Sequence, residues 1–307
     1  MSDLTLTLKA RLRQGKIVVA PGIYDMISAR IADRMGFDAL YMTGYGTVAS
    51  LLGLPDAGLA TYTDMVGRVA QFAGGTRTPL IADADTGYGG LLNVRHTVRG
   101  YEAAGAVAIQ IEDQEMPKKC GHTAGRRVVS LEDMVAKIRV ALEARSSDET
   151  LIIARTDART GLGLDEALRR GEAFARAGAD LVFIESPESE DELRRIGAAL
   201  KGVALVANVG QTGARTPELT SQRLQELGYA LAIYPSLAHK AAAAAMRTAY
   251  DHLLCNGTAL GLELPLATST QMHELMDFPE VWEFERRCEQ IAVDAEPLAK
   301  SGGEKAA

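Results

Sequence analysis

Residues 79–87 read Pro-Leu-Ile-Ala-Asp-Ala-Asp-Thr-Gly, a short apolar run that ends in two aspartates and a glycine. A run of this length and composition is typical of a strand that is buried on both faces of a parallel sheet. Polar residues directly after such a strand lie at its carboxyl end, where α/β proteins place their chemistry. The stretch therefore predicts both a strand and part of a site.

Seven further apolar runs repeat this arrangement, and a helical pattern follows most of them. The runs cover residues 17–20, 39–42, 107–111, 151–154, 181–184, 203–207 and 230–234. Several helical stretches end in a glycine just before the next strand, and glycine supplies the left-handed cap of a helix. These glycines are Gly36, Gly105, Gly178 and Gly228.

Eight strands that alternate with helices predict an α/β fold, a (β/α)8 TIM barrel. The alternative is a doubly wound open sheet, which uses the same alternation. The count of eight and the polar residues at the strand ends favour the barrel. The Gly-x-Gly-x-x-Gly pattern of dinucleotide-binding folds is absent after the first run.

Composition excludes several classes of function. The 307 residues are 47% hydrophobic and 24% charged, with a net charge of −7 and no basic stripe for a nucleic acid. No run approaches the roughly 20 apolar residues of a membrane span, and the amino-terminal residues lack a secretory signal. Three scattered cysteines do not form a disulfide framework. We therefore expect a cytoplasmic protein without nucleic-acid or membrane partners.

The pattern changes near the carboxyl terminus. We expect a catalytic barrel domain over residues 1–257 and a helical extension of the same domain over residues 258–298. Residues 299–307 are small and polar and predict a disordered tail. The extension carries apolar side chains, including Leu275, Trp282 and Phe284, that must pack on the barrel or on a neighbouring subunit.

Polar residues at the predicted strand ends provide the candidate site. In chain order they are Tyr41, Thr43, Gly44 and Tyr45, then Asp56 on the same loop, Asp83 and Asp85, Glu112 and Asp113, Arg155 and Asp157, Glu185, Asn208, and finally Tyr234, Pro235 and Ser236. Any one aspartate at such a place is often only a helix N-cap. Asp83 and Asp85 are two residues apart, so they share a strand face if the strand continues that far. A hard cation such as Mg²⁺ would relieve their repulsion.

Residues 118–122, Lys-Lys-Cys-Gly-His, place a thiol between cationic side chains. Nearby cations favour the thiolate and lower the pKa of a cysteine. A structural cysteine usually has apolar neighbours, which Cys120 lacks in the sequence. Because Gly121 and Gly125 would let the segment fold over a ligand, we interpret it as a mobile lid. Together, the carboxylates and the thiol suggest carbanion chemistry in which a metal holds an oxygen.

Several of these segments, in this order, resemble the isocitrate lyase/phosphoenolpyruvate mutase superfamily over roughly residues 15–290. The segments are Thr43-Gly44-Tyr45-Gly46, Leu52-Gly53-Leu54-Pro55-Asp56, Asp83-Ala84-Asp85-Thr86-Gly87-Tyr88-Gly89, Glu112-Asp113-Gln114, residues 118–122 and Ala154-Arg155-Thr156-Asp157-Ala158. Within the superfamily the chain is most similar to the short lyases, the methylisocitrate lyase and 2,3-dimethylmalate lyase group. The resemblance implies C-terminal helices swapped between subunits and a homotetramer, a dimer of swapped dimers.

The resemblance also implies roles for the candidate residues. Asp85 would ligate Mg²⁺, with Mn²⁺ as a substitute, and Asp83 and Glu112 would act largely through metal-bound waters. The 2-keto acid carboxylate would be held by Thr43, Gly44 and Tyr45, and Arg155 would contact the substrate oxygens. The other carboxylate would be bound, or the lid oriented, by Gly121, His122, Glu185 and Asn208. The remaining substrate-binding candidates are Asp56, Lys118 and Pro235.

The implied reaction is the cleavage of a 2-hydroxy dicarboxylic acid to pyruvate or a related 2-keto acid plus a carboxylic acid. Cys120 would protonate the departing carbanion. For the general base, Tyr41 and a metal-bound hydroxide remain alternatives. The alternative functions are an oxaloacetate hydrolase or decarboxylase on the same scaffold and, less favoured, a non-catalytic barrel that binds a metabolite.

Departures from the family pattern bear on these alternatives. The Cys-Gly-His segment argues against the phosphonate-forming mutases, which lack it. Pro235 follows the last strand, as in methylisocitrate lyases, whereas oxaloacetate hydrolases of the family tend to have a serine there. A serine is nevertheless present one position after Pro235, at Ser236, so the hydrolase remains an alternative. After Asn208, Gln211 stands in about the place of a glutamate of the family lyases, and this predicts a substrate other than methylisocitrate.

Overall fold

The eight predicted strands form a closed parallel barrel in the computed structural model, which describes residues 7–121, 123, 125–210 and 216–301. The strands are β1 (Val18–Ile23), β2 (Leu40–Met42), β3 (Leu80–Asp83), β4 (Ala108–Glu112), β5 (Leu151–Thr156), β6 (Leu181–Ile184), β7 (Leu205–Asn208) and β8 (Tyr229–Tyr234). They follow chain order around the barrel, and β8 pairs with β1. The predicted barrel is confirmed, and the open-sheet alternative is wrong because the last strand closes onto the first.

Helices precede, separate and follow the strands. They are α1 (Leu8–Arg13), α2 (Met26–Met35), α3 (Gly44–Leu52), α4 (Tyr62–Gly75), α5 (Leu91–Ala103), α6 (Leu131–Ala144), α7 (Ala158–Leu162), α8 (Leu164–Ala177), α9 (Glu190–Ala199), α10 (Ser221–Glu226), α11 (Leu237–Asn256), α12 (Ser269–Leu275) and α13 (Phe278–Ser301). Glycines with a positive φ end α2 and α8, at Gly36 and Gly178, as the sequence predicted. Within the described residues, no helix combines the length and the apolar character that crossing a bilayer requires.

Strand side chains alternate between two apolar layers. Ile81 packs inside the barrel with residues such as Phe183. Its neighbours Leu80 and Ala82 pack outward against helix residues such as Phe72. This alternation explains why the runs are apolar on both faces. It also brings the polar residues at the carboxyl end of each strand to the same mouth of the barrel.

One local element is not apparent from the sequence. Two glycines and several hydroxyls follow β2, and this composition is typical of a turn. The structure instead begins α3 at Gly44, with Thr43 as its N-cap. Thr43 has an extended backbone, and its side chain makes no capping hydrogen bond. The hydroxyl and glycine chemistry that marks a turn also suits the start of a helix.

The chain divides into two compact units, Met1–Met246 and Arg247–Ala307. The division falls within α11, whereas the sequence placed a boundary after residue 257, just past the end of that helix. In the second unit, α13 continues to Ser301, so residues 299–301 of the predicted tail are helical. Residues 302–307 lie outside the described part of the chain.

Candidate active site

A cavity of about 680 Å³ opens at the carboxyl ends of the strands, within the first unit. Most predicted site residues line it: Tyr41, Thr43, Gly44, Tyr45, Asp56, Asp83, Glu112, Lys118, Cys120, Gly121, Arg155, Glu185, Asn208 and Pro235. Asp85 lies beside this lining, with its Oδ1 atom 2.6 Å from Lys118 Nζ. His122 and Gln211 lie outside the described residues. The strand ends and the loops that follow them therefore bring several carboxylates, two of the predicted basic side chains and one thiol to a shared space.

Three carboxylates are buried together at one side of the cavity. Asp83, Asp85 and Glu112 are 6%, 3% and 1% exposed, so little of their charge is compensated by water. Burial raises the pKa of all three side chains, and that of Asp85 reaches about 6 even though Lys118 lowers it. Buried carboxylates of this kind need a cation to remain ionised.

Lys118 supplies one such cation. Its ammonium group forms ion pairs with Asp56 and Asp85, and only 3% of the side chain is exposed. Burial alone would lower the pKa of Lys118, but the attraction of Asp85, Glu112 and Asp56 outweighs it and raises the pKa well above its usual value. Lys118 pairs with only one of the three buried carboxylates, Asp85, so it does not neutralise the group by itself.

The same carboxylates fit a divalent metal ion. Glu112 Oε1 is buried and has no hydrogen-bond partner among the described residues. In that part of the chain, no three His, Cys, Asp or Glu side chains converge as a complete set of metal ligands. Proteins usually bind Mg²⁺ through only one or two carboxylates, and water and substrate oxygens complete its coordination. The donor set thus suits Mg²⁺ better than a metal that requires a full cage of protein ligands.

The amino terminus of α3 lines the cavity next to these acids. Thr43, Gly44, Tyr45 and Gly46 line the cavity there. Because Thr43 does not cap the helix with its side chain, the first N–H groups remain available to a ligand. A helix amino terminus also carries partial positive charge and favours a carboxylate. A Cβ on Gly44 would lie 2.9 Å from Asp83 Oδ2, so glycine lets the helix approach the acids closely.

Arg155 is held rigidly at the end of β5. Its Nε and Nη2 atoms donate hydrogen bonds to the two carboxylate oxygens of Asp157, at 3.0 and 2.8 Å. Its Nη1 lies 3.4 Å from Glu112 Oε2, and its Nη2 lies 3.6 Å from Glu185 Oε2. The guanidinium also lies over the ring of Phe183, 5.2 Å from the centroid. Such a two-point clamp fixes the plane of the guanidinium toward the cavity.

Residues 115–121, 123 and 125–127, here called the lid loop, contribute Lys118, Lys119, Cys120, Gly121 and Thr123 to the lining of the cavity. Cys120 N donates a hydrogen bond to the carbonyl of Asp56 at 3.1 Å. The carbonyl of Gly121 accepts one from Ser186 Oγ at 3.0 Å. These contacts place the half-buried Cys120 at the wall of the cavity that Arg155 and Glu185 also line.

Helices α3 and α11 contribute a set of mostly apolar residues to the cavity lining, here called the apolar wall. On α3 the wall contains Tyr45 and Ala49, which are one helical turn apart. On α11 it contains His239, Ala243 and Met246, whose spacing puts them on one helix face. The rings of Tyr45 and His239 stack with centroids 5.4 Å apart, so the two helices form a continuous surface. The cavity thus combines a charged side with an apolar side.

Tyr41 donates a hydrogen bond from its hydroxyl to Gln110 Oε1 at 3.0 Å. Burial, reinforced by the charge of Asp83, raises the pKa of Tyr41 well above its usual value. A phenol in this environment stays protonated. It therefore suits a hydrogen-bond donor better than the general base that the sequence offered as one alternative.

Some important residues were not recognised from the sequence. Asp157 was noted at a strand end, but its clamp on Arg155 was not predicted. Asp113, next to Glu112, turns away from the cavity and pairs with Arg170 Nη1 at 2.8 Å. The roles of Ser186 and Arg126 were also missed. Arg155 and Asp157 are only two residues apart, but the pairings of Asp113, Ser186 and Arg126 join segments that are far apart in the sequence, so no local pattern predicts them.

Comparison with known proteins identifies the family. The family model described as phosphoenolpyruvate phosphomutase matches residues 8–254. The chain belongs to the phosphoenolpyruvate mutase/isocitrate lyase superfamily. Among relatives in the superfamily, 2,3-dimethylmalate lyase of Eubacterium barkeri is 47% identical over 278 residues, covering 91% of this chain and 96% of the relative. The 2-methylisocitrate lyase of Aeropyrum pernix is 40% identical over 293 residues, covering 95% and 92%.

A solved structure in the superfamily has the same architecture. It is oxaloacetate acetylhydrolase in complex with the inhibitor 3,3-difluorooxalacetate. The two structures superpose with a TM-score of 0.87 at 33% identity, covering 92% of this chain and 96% of the other. The resemblance expected from the sequence motifs is confirmed at the level of the superfamily and of the lyase relatives.

Proposed function

We propose that this protein is a Mg²⁺-dependent carbon–carbon lyase. It cleaves a 2-hydroxy dicarboxylic acid of the 2,3-dimethylmalate or 2-methylisocitrate type to pyruvate or a related 2-keto acid plus a carboxylic acid. The observation that carries the proposal is the meeting of Cys120, Arg155 and the buried carboxylates at one cavity. The identity to 2,3-dimethylmalate lyase over nearly the whole chain supports the same reaction class.

The residues of the cavity bind a substrate with two carboxylates. The N–H groups at the start of α3 and the hydroxyl of Thr43 receive the carboxylate of the 2-keto acid half. Arg155 holds substrate oxygens, and its plane is fixed by Asp157. Asp85, with Asp83 and Glu112, would hold Mg²⁺, which when bound draws electron density from the substrate hydroxyl and carboxylate oxygens.

In the proposed reaction, a general base takes the proton of the C2 hydroxyl and the C2–O bond becomes a carbonyl. Because the raised pKa of Tyr41 disfavours it, a metal-bound hydroxide would be that base. The C2–C3 bond breaks, and its electron pair moves to C3 of the departing fragment. The thiol of Cys120 then donates its proton to C3, which yields the carboxylic acid. A proton donor placed in this way contributes about 10²–10⁴-fold to the rate. The hydroxyl of Tyr41 acts as a hydrogen-bond donor, because its raised pKa keeps it neutral.

The apolar wall favours alkyl substituents on the substrate. Ala49, Ala243 and Met246 offer no charge to a third carboxylate, whereas they suit a methyl group. Lys119 and Lys240 also line the cavity, and they provide positive charge for a substrate with more carboxylates. We therefore rank 2,3-dimethylmalate first and 2-methylisocitrate second.

An oxaloacetate hydrolase is the second candidate. Ser236 lines the cavity one residue after Pro235, and the inhibitor complex of oxaloacetate acetylhydrolase has the same fold. A hydrolase would add water to oxaloacetate and release oxalate and acetate. A lyase would release pyruvate and propionate from 2,3-dimethylmalate.

Product analysis tests the proposal. The purified protein is incubated with Mg²⁺ and, separately, with 2,3-dimethylmalate, 2-methylisocitrate, isocitrate, citramalate and oxaloacetate. Keto acids, oxalate and short carboxylic acids are measured by chromatography. We expect pyruvate and propionate in equal amounts from 2,3-dimethylmalate. Oxalate and acetate from oxaloacetate alone would support the hydrolase, and no product from any compound would support a metabolite-binding barrel.

We also propose that the protein assembles as a homo-oligomer through its C-terminal helices. In α11 none of the residues is buried, and Tyr250 and Leu254 are 67% and 86% exposed. Apolar side chains of this size on consecutive turns usually face a partner. Light scattering after size-exclusion chromatography tests this, and a tetramer of the 32.8 kDa chain is expected.

A further inference from the structure

Arg126 is a buried cation that the proposed reaction does not use. It belongs to the lid loop, yet only 3% of its side chain is exposed. Its Nη1 atom donates to Asp157 Oδ1, its Nη2 atom donates to Thr160 Oγ1, and its Nε atom donates to the carbonyl of Thr123 at 3.2 Å. A buried guanidinium is costly unless it is paired in this way. The pairing therefore determines where this part of the lid loop can lie.

Arg126 and Arg155 share one carboxylate. Asp157 Oδ1 accepts hydrogen bonds from both Arg126 Nη1 and Arg155 Nη2, while Asp157 Oδ2 accepts from Arg155 Nε. The Asp157 side chain is fully buried, and the two arginines together hold its pKa below the usual value against the effect of burial. The carboxylate thus links a lid residue on one side to a cavity residue on the other.

The barrel holds one end of this link, at Asp157, and the lid loop holds the other, at Arg126. Asp157 is fixed to the barrel, because its backbone N–H donates to Asp113 Oδ1 at 2.9 Å. Arg126 reaches Asp157 only when the lid loop lies against α7 and the end of β6, since Thr160 is in α7 and Ser186 Oγ is 3.5 Å from Arg126 Nη2. Ser186 also donates to Gly121 in the same loop. If the lid loop moved away, Asp157 would lose its pairing with Arg126 and would keep its pairing with Arg155.

We propose that Arg126 is a positioning residue that fastens the lid loop to Asp157 and, through that shared carboxylate, fixes the guanidinium of Arg155 against the substrate. The second half of this inference rests on the proposed lyase function. The first half concerns the lid loop alone. Arg126 does not itself line the cavity. It reaches the lining residue Thr123 through its Nε atom and the lining residue Arg155 through the shared carboxylate of Asp157.

The neighbouring residue provides a matched control. Arg127 has the same charge and adjoins Arg126, but 78% of its side chain is exposed and it pairs with Glu115 at the surface. The variants are Arg126→Ala, Arg126→Lys and Arg127→Ala, with Thr160→Val as a milder change that removes one acceptor of Arg126 at an exposed position. The melting temperature of each variant is recorded, so that a folding defect is recognised.

Two measurements test the two halves separately. The rate at which iodoacetamide alkylates Cys120, measured by mass spectrometry of the peptide that carries it, reports whether the lid loop is fastened. We expect this rate to rise about 10-fold in Arg126→Ala, less in Thr160→Val and not in Arg127→Ala. The kcat/KM for 2,3-dimethylmalate reports the position of Arg155, and a displacement of about 1 Å can cost about 10²-fold.

The outcomes are distinct. We expect kcat/KM to fall about 10²-fold in Arg126→Ala, to recover partly in Arg126→Lys and to stay within about twofold in Arg127→Ala. Unchanged alkylation of Cys120 in folded Arg126→Ala and Thr160→Val proteins would overturn the fastening of the lid loop. Faster alkylation with unchanged kcat/KM would overturn the link to Arg155. If the wild-type protein cleaves none of the substrates, alkylation still decides the first half.

Discussion

Gly121 lies so close to Arg155 that a Cβ atom on Gly121 would come within 2.5 Å of Arg155 Nη2. The same atom would lie 3.0 Å from Glu185 Cγ. The lid loop can therefore reach this position only with a glycine at its tip. The contact joins the segment that bears Cys120 to the group expected to hold the substrate, so a change at one alters the other.

The first prediction concerns this contact. In Gly121→Ala the new methyl group must displace Arg155 or the lid loop, because Asp157 clamps the guanidinium. We expect kcat/KM to fall about 10²-fold with little change in melting temperature. Gly67→Ala is the control, since a Cβ there meets open space on α4. A Gly121→Ala enzyme with wild-type kinetics would mean that the lid loop adopts another position during turnover.

The second prediction concerns the proton donor. Cys120→Ser replaces the thiol with a far weaker acid of similar size. We expect kcat to fall about 10²–10⁴-fold while Mg²⁺ affinity stays unchanged. Cys255→Ser is the control, because Cys255 is exposed and lies outside the cavity lining. Near-normal turnover in Cys120→Ser would exclude the thiol as the proton donor.

The third prediction concerns the metal. Chelation with EDTA should abolish turnover, and addition of Mg²⁺ or Mn²⁺ should restore it. Asp85→Asn removes the charge of one of the two carboxylates that pair with Lys118. We expect the Mn²⁺ affinity of this variant, measured by calorimetry, to fall at least about 100-fold. Asp148→Asn serves as the control, because 79% of that side chain is exposed. Equal Mn²⁺ affinity in the two variants would contradict the assignment of the site.

The fourth prediction concerns pH. Burial and Asp83 raise the pKa of Tyr41 well above 10, so the phenol remains protonated throughout the range in which the enzyme is assayed. The ionisation of Tyr41 should therefore cause no alkaline limb in the profile of kcat/KM against pH. We expect Tyr41→Phe to lower kcat/KM by about 10-fold through the lost hydrogen bond while the profile keeps its shape. Loss of one limb in Tyr41→Phe would restore Tyr41 as the base.

The strands and most strand-end residues could be predicted because burial leaves a local pattern. A strand such as Leu181–Ile184 is apolar throughout, and the next residue, Glu185, is then placed at the mouth of the barrel by the fold itself. The predicted and observed strand bounds differ by a few residues at most. In this fold, the position at which a strand ends largely identifies the side chain that faces the site.

The remaining parts depend on contacts between distant segments. Glu112 and Asp113 are adjacent and chemically alike, yet one lines the cavity and the other pairs with Arg170 on α8. Strand alternation separates them, but only a known register tells which one points inward. Arg126 and Arg127 differ in the same way, since one is buried against Asp157 and the other is at the surface.

The last prediction concerns the apolar wall and the choice of substrate. Ala243 lies on the cavity face of α11 between His239 and Met246, and a carboxylate there would oppose an alkyl group of the substrate. In Ala243→Asp we expect the ratio of kcat/KM for 2,3-dimethylmalate to that for citramalate to fall about 10-fold, the low end of what one methyl group is worth in a pocket.

Ala241→Asp is the matched control for this change. Ala241 is also an exposed alanine of α11, but it does not line the cavity. The additional charge on the helix is the same in both variants, so a difference between them reports the wall and not the net charge. Because both substrates have two carboxylates and differ in one methyl group, a general loss of activity would leave the ratio unchanged. A constant ratio in Ala243→Asp would mean that the alkyl group binds elsewhere in the cavity.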